Sequence, residues 1–299
     1  MKIRRILVAT DFSPIANNAF HTALRIARAT GAKITLAHVV PSQVVIHAGL
    51  PVGIRSEVVR LSQRMLAGDT RRLEKLVAAA RKAGVPADGA MHEGDPPDEI
   101  LRIVDETKPD VIVIGTHGRG GAAHLLLGSV AEKITRLANC PVLVVKKRAA
   151  HRGPVLVALD DSPMAAPVAG AAAAIAKRLR VRLQVVHAIP GTETMPEPFM
   201  AGLGMRAWRE ISEIGRRRAA EEVSRTLARA KVKLAPRDIR IREGRPQDVI
   251  VDTTRMTRPG LVVVGTHGRR GLSRVFLGSV AEAVVRHAAA PVLVVRPRT

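Results

Sequence analysis

Two short stretches of this sequence hold residue types suited to binding an anion. Gly115 and Gly118 are followed, after nine residues, by Gly128-Ser129, and the same spacing returns as Gly265, Gly268 and Gly278-Ser279. Each first glycine directly follows a run of β-branched residues. There a missing side chain permits close approach and positive φ, so that several backbone N–H groups can point at one ligand. Ser129 and Ser279 then open helices, whose first N–H groups and positive dipole end attract phosphate. Arg119 and Arg269, beside the second glycine of each stretch, add charge. The pattern G-x-x-x-x-G-K-[ST] is absent, so no P-loop lysine reaches a terminal phosphate. A loose G-x-G-x-x-A from Gly118 to Ala123 is not kept in the other stretch, which reads GRRGLS, and this argues against a dinucleotide fingerprint.

Other polar residues carry two readings each. Ser129 with Glu132, and Ser279 with Glu282, also spell the capping box S-x-x-E. Asp11 and Asp160 can bind a ligand or simply start a turn into a helix. His117 and His267 hold equivalent loop positions, yet neither has a partner nearby in sequence, which favours a solvated imidazole over a catalytic one. His38 and His187, at strand ends, read as satisfied structural histidines. Cys140 is matched by Ala290, which excludes a shared redox or metal role.

The elements that position these residues come in two copies. VIVIGTHGRGGAAHLLLGSVAEKI (111–134) recurs as LVVVGTHGRRGLSRVFLGSVAEAV (261–284), and CPVLVV (140–145) as APVLVV (290–295). Upstream, EGDPPDEI (93–100) matches EGRPQDVI (243–250), and ILVATDFSP (6–14) matches VLVALDDSP (155–163). The chain is a tandem duplication with domains expected at 1–149 and 150–299 and a linker near residues 146–153. Within a half, Ile6 to Ala9, Ile34 to Val40 and Val111 to Ile114 read as strands buried on both faces of a parallel sheet. Between the first two, Ser13 suits an N-cap, Pro14 the first helical position and Gly31 the C-terminus. An amphipathic helix is expected from about Ser56 to Ala83, a weak strand at Gly89 to His92, clearer as Ile239 to Arg242, and a helix from Asp98 that ends before Pro109. A helix from Ser129 and a last strand, Val142 to Val145, complete β-α-β-α-β-α-β-α-β. That order makes an open, doubly wound sheet whose ligands sit at the carboxyl ends of strands. Asp11, Val39 and Gly115 all fall there.

Composition bounds the rest. The chain has 299 residues, 46% hydrophobic and 25% charged, and no apolar run approaches the ~18 residues of a membrane span. The four apolar positions Ile6 to Ala9 are too few for a signal-peptide core, and one cysteine excludes an intramolecular disulfide framework, so a cytoplasmic location is expected. The net charge is +22, divided as +9 over residues 1–149 and +13 over 150–299, which raises the weight of polyanionic partners, nucleic acid included. With no Tyr, one Trp and four Phe, base stacking in the manner of single-strand binders is disfavoured. The basic stretches at Arg71, Arg72, Lys75, Arg81 and Lys82, and at Arg216, Arg217, Arg218, Arg225 and Arg229, read as solvated faces of amphipathic helices.

The pattern G-x2-G-x9-G-[ST], the strand and turn ILVATDFSP and the last strand PVLVV together resemble the universal stress protein family, in the right order and twice over. The resemblance implies an α/β fold of two tandem Rossmann-like, adenine nucleotide alpha hydrolase-like domains, each an open parallel five-stranded sheet with helices on both faces. It further implies binding of ATP, with Mg²⁺, in the subgroup that keeps the glycines. Carried over by motif, Asp11 and Asp160 would hydrogen-bond the adenosine part, beside Thr10 and Leu159. Val39 and Ala188 would present backbone groups to adenine. Gly115, Gly118, Gly128, Ser129 and Val130, with Gly265, Gly268, Gly278, Ser279 and Val280, would cradle ribose and phosphates. Leu159 stands where the pattern has threonine, and Asp161 adds an acid beside the second site. The family also pairs such domains through the last strand, here Val142 to Val145 with Val292 to Val295, which implies an internal pseudo-dimer, with a homodimer and an unknown protein partner as further expectations. The expected role is a nucleotide-dependent regulatory or interaction protein of the stress response with no catalytic residue. The alternatives are a slow ATPase or nucleotide hydrolase, cyclic AMP binding or nucleic-acid binding.

Overall fold

The computed structural model describes residues 1–41, 52–116, 127–146, 153–191, 205–266 and 277–296. By its contacts the chain divides into two compact units, Ile3–Ala138, and Asn139–Thr299 together with Met1–Lys2. In the first unit β1 (Arg5–Ala9), β2 (Lys33–Val40), β3 (Ala87–Glu93) and β4 (Val111–Gly115) lie in the order β3-β2-β1-β4, with the registers Ala9↔Ala37 and Ile6↔Val111 setting parallel pairs. The runs Leu7, Val8 and Ile112, Val113 are fully buried, as strands covered on both faces must be.

Among the described residues three helices connect these strands, α1 (Pro14–Thr30), α2 (Val52–Lys82) and α3 (Pro96–Thr107), and α4 (Ser129–Leu137) follows β4. The start of α1 is as expected: Ser13 Oγ accepts from Ala16 N at 3.1 Å, Pro14 needs no donor, and Gly31 closes the helix at φ 73°. α2 begins four residues before the expected Ser56. α3 begins at Pro96, two residues before the expected Asp98, because Pro96 and Pro97 fill first-turn positions whose N–H groups have no intrahelical acceptor. The segments 42–51 and 117–126, and the linker residues 147–152, lie outside the described residues.

The second unit repeats the plan. It holds β6 (Val155–Leu159), β7 (Leu183–Ile189), β8 (Ile239–Glu243), β9 (Leu261–Gly265) and β10 (Val292–Val295), with α5 (Ala165–Leu179), α6 (Met205–Arg229), α7 (Pro246–Thr257) and α8 (Ser279–His287). β5 (Val142–Val145), the last strand of the first repeat, also belongs to this unit by its contacts. The order is β5-β10-β9-β6-β7-β8, all parallel except that β5 runs antiparallel to β10, Leu143 opposite Leu293. Both strands are buried along their whole length, so each covers an apolar edge of the other. Beyond β5, Lys146 donates to the Arg286 carbonyl, and burial pushes its amine down to about 8. Burial likewise lowers Arg296 beyond β10, partly offset by the nearby Cys140.

The helix C-termini differ between the units. Gly31 and Gly84 close α1 and α2 in the left-handed region, whereas Arg180 and Lys231 take those places after α5 and α6, at φ 54° and 55°. The backbone bonding is the same in both: Val85 N bonds Ala80 O at 3.0 Å after Gly84, and Val232 N bonds Leu227 O at 2.9 Å after Lys231. After α3 and α7 both units carry a cation, Lys108 and Arg258, at φ 45° and 44°.

Candidate functional site

In the first unit the strand ends converge as the doubly wound order requires. β1 stops at Ala9, and the ladder to β2 closes with Thr10 N on Ala37 O at 2.9 Å. Along β2 the hydrogen-bonding direction alternates. Ala37 faces β1, Val40 O faces β3 through Gly94 N at 3.0 Å, and Val39 therefore faces the side on which β1 has already ended. Its N–H and C=O are thus presented to a ligand by the shortness of β1. Asp11 Oδ1 accepts from Ser13 N at 3.0 Å and Thr10 Oγ1 from Phe12 N at 3.1 Å, which fixes the turn and holds Phe12 at φ 63°. Gly115 ends β4 against α1. A Cβ there would stand 2.9 Å from Ile15 Cγ2, so close approach, not positive φ, is what demands glycine.

The second unit builds the same floor with different side chains. Leu159 ends β6, Ala188 faces the side where β6 has ended because Ile189 O turns to Gly244 N at 3.0 Å, and Gly265 ends β9. Here Asp160 Oδ1 accepts from both Ser162 N at 3.2 Å and Ser162 Oγ at 2.6 Å. Ser162 therefore does not cap the following helix, as Ser13 does, and the N-cap falls on Met164 without a side-chain bond.

One histidine–carboxylate pair at each floor, buried in the first unit and with an exposed carboxylate in the second, was legible only as structural histidine. His38 Nδ1 lies 2.8 Å from Thr10 O, and His187 Nδ1 lies 2.9 Å from Leu159 O; a carbonyl only accepts, so Nδ1 carries the proton in both. Each second ring nitrogen faces a carboxylate, Asp69 at 3.4 Å on α2 for His38 and Asp161 at 3.7 Å on the turn for His187. Arg72 pairs with Asp69 at 3.2 Å and sits 6.0 Å over the Phe12 ring, a cluster that Asp161 replaces in the second unit.

The anion end is also built twice. Thr116 and Thr266, buried at 1% and 0% exposure, accept from Gly128 N at 2.7 Å and Gly278 N at 2.8 Å, which closes the base of each glycine loop. The repeated GTHG was the one local signal for these threonines. Gly128 and Gly278 are the N-caps of α4 and α8, and neither has a side-chain cap. This corrects the capping-box reading: Ser129 and Ser279 stand one position too late to cap and are exposed, in the first turn with Val130 and Val280. Gly118, Arg119, Gly268 and Arg269, with His117 and His267, lie outside the described residues. One turn into α4, Lys133 bonds Asp98 at 2.7 Å, which lowers the carboxyl of Asp98 and raises the lysine. Among the described residues no group of His, Cys, Asp and Glu can hold a metal ion, and no helix is long and apolar enough to cross a membrane.

Known proteins share this architecture along the whole chain. The universal stress protein family profile matches residues 2–146 and again 151–296. A universal stress protein of Mycolicibacterium smegmatis is 31% identical over 98% of this chain and 97% of its own length. The universal stress protein Rv2005c of Mycobacterium tuberculosis is 30% identical over 88% and 87%. Among solved structures, a universal stress protein from Pseudomonas aeruginosa superposes with a TM-score of 0.71 at 21% identity, covering 99% of this chain and 94% of that one, a likeness of fold. The Rossmann-like α/β fold expected from the sequence is the observed one, and with two family domains in tandem the chain belongs to the universal stress protein family.

Proposed function

We propose that each repeat, 1–149 and 150–299, is a domain that binds an adenine nucleotide, ATP with Mg²⁺, and that the chain acts in the stress response as a nucleotide-dependent regulatory or interaction protein in the cytoplasm. The observation that carries this reading is a helix N-terminus with glycine at the cap, tied to the end of β4 through Gly128 N on Thr116 O and repeated at β9 through Gly278 N on Thr266 O. Uncapped N–H groups and the positive dipole end suit phosphates. The open backbone of Val39 and Ala188 offers adenine a donor and an acceptor, about 10 Å away across two strand spacings. Mg²⁺ would be carried by the phosphates, since the described residues offer it no ligand set. Both buried histidines at the described strand ends are bound to backbone carbonyls, which leaves the turn carboxylates Asp11, Asp160 and Asp161 as the groups a slow hydrolase would use there. The pairing of β5 with β10 supports an internal pseudo-dimer through the last strands.

Calorimetry with ATP and Mg²⁺ tests the reading on the wild type and on Gly128→Asp/Gly278→Asp, which supplies a carboxylate cap to both helices. Binding by the wild type, lost about 100-fold or more in a variant that melts no earlier, is the expected result. A wild type that binds no ATP, or a variant that binds it equally, overturns the proposal. Competition with cyclic AMP and a phosphate-release assay separate the alternative ligand and the slow hydrolase.

A further inference from the structure

The opposite end of the second unit carries charge that the nucleotide reading does not use. Three loops lead from a helix into a strand there: 180–182 into β7, 230–238 into β8 and 258–260 into β9. They hold six cations, Arg180, Arg182, Lys231, Lys233, Arg237 and Arg258, all exposed, against one carboxylate, Asp238, which is buried and bonded to Arg182. The matching places of the first unit, loops 31–32, 83–86 and 108–110 with the first residue of β2, hold two cations, Lys108 and Lys33, which pairs with Asp88 as Arg182 does with Asp238, and Asp110, whose carboxylate accepts from Arg4 N and Arg5 N. Because β9, β6, β7 and β8 are adjacent and parallel, the three loops line one end of the sheet over about 14 Å.

Arg182 has its ion pair with Asp238 and Arg258 its counterpart in Lys108, but folding does not account for the other four cations. Arg180 and Lys231 occupy left-handed positions where the first unit has Gly31 and Gly84 with the same backbone bonds. A cation at a helix C-terminus gains from the dipole about as much as a side chain loses in that conformation, so the exchange brings no net stability. Arg180 and Lys231, held in left-handed positions that the first unit fills with glycine, and Lys233 and Arg237 beside them point to a ligand.

We infer that this end of the Asn139–Thr299 unit is a docking surface for the phosphate backbone of double-stranded nucleic acid. Four of the six cations are arginines, whose forked donors match phosphate oxygens. The loops contain no aromatic residue, which leaves unstacked bases nothing to stack on and favours a duplex over a single strand.

Fluorescence anisotropy of the full chain with a labelled mixed-sequence duplex of about 30 base pairs, from about 20 to 200 mM salt, tests this. The wild type is expected to bind at low salt and to weaken steeply with salt. Arg180→Gly/Lys231→Gly, which copies the first unit, is expected to lose at least about tenfold in affinity and about 2 in the log–log salt slope, at roughly 0.9 per phosphate, while melting within about 2 °C of the wild type. Arg71→Gln/Lys75→Gln removes as much charge from exposed positions on α2 and is expected to bind within about twofold of the wild type. No duplex binding at 20 mM salt, an unchanged slope in the glycine variant, or an equal loss in the α2 variant overturns the inference. Tighter binding of poly-glutamate or phosphatidylserine vesicles than of the duplex overturns it in favour of another partner.

Discussion

Substituting Gly115 tests whether the floor of the first site is held by close approach. In Gly115→Ala the new Cβ would stand 2.9 Å from Ile15 Cγ2 and 3.3 Å from Ala16 N. Neither neighbour yields easily. Ile15 is β-branched and stiff at χ1 in the first turn of α1, and Ala16 N is tied to Ser13 Oγ at 3.1 Å. The clash therefore passes to the backbone and pushes β4 from the start of α1. Overpacking of this kind costs about 1–3 kcal/mol. For a unit the size of Ile3–Ala138, unfolding entropy near 2.1 cal/mol/K per residue gives about 0.3 kcal/mol/K, so a cost of about 2 kcal/mol lowers Tm by roughly 7 °C. Differential scanning calorimetry reads this directly. Adding Ile15→Ala removes the nearer obstacle, and the double-mutant cycle should show a coupling of at least about 0.5 kcal/mol. A Gly115→Ala protein that melts within a degree of the wild type, or a cycle with no coupling, would refute the argument.

Two further outcomes follow from single side chains. Ser13→Ala removes the cap of α1 and should cost about 1 kcal/mol by urea denaturation, while Ser13→Thr, which keeps the hydroxyl, should stay within about 0.5 kcal/mol of the wild type. Lys146, pushed down to about 8 by burial, releases its proton in the folded chain while the unfolded chain holds it to about pH 10.4. The unfolded state thus binds more protons across that window, and this group's contribution to stability rises as pH rises through it. Lys146→Met should therefore gain less stability than the wild type between pH 7.5 and 9.5 in urea titrations; an identical gain contradicts the assignment.

The fold was legible because it is carried by local signals that agree with each other and appear twice. Ser13, Pro14 and Gly31 mark the ends of α1 by chemistry that acts within a few residues, and the unbroken β-branched runs of β1 and β4 read as parallel strands from residue type alone. The ends of α2 and α3 were less legible. Pro96-Pro97 stops one element and starts the next, and only tertiary packing decides which. The site was legible at its glycines but not in their reasons. Nothing local says that Gly115 answers to Ile15, that Gly128 rather than Ser129 caps α4, or that β1 ends early enough to open Val39. The His38–Asp69 pair joins residues 31 positions apart, beyond the reach of any spacing rule.

The strand Val142–Val145 has a consequence for how this chain behaves when scarce. An uncovered β10 would need its antiparallel neighbour from a second molecule, and the fraction protected would fall as the protein became dilute. Here the neighbour is tethered, since Val145 and Val155 are ten positions apart in the same chain, and a short tether sets a local concentration of millimolar order. Protection of this edge is then independent of expression level: a cell holding a few copies has the same covered β10 as one holding thousands.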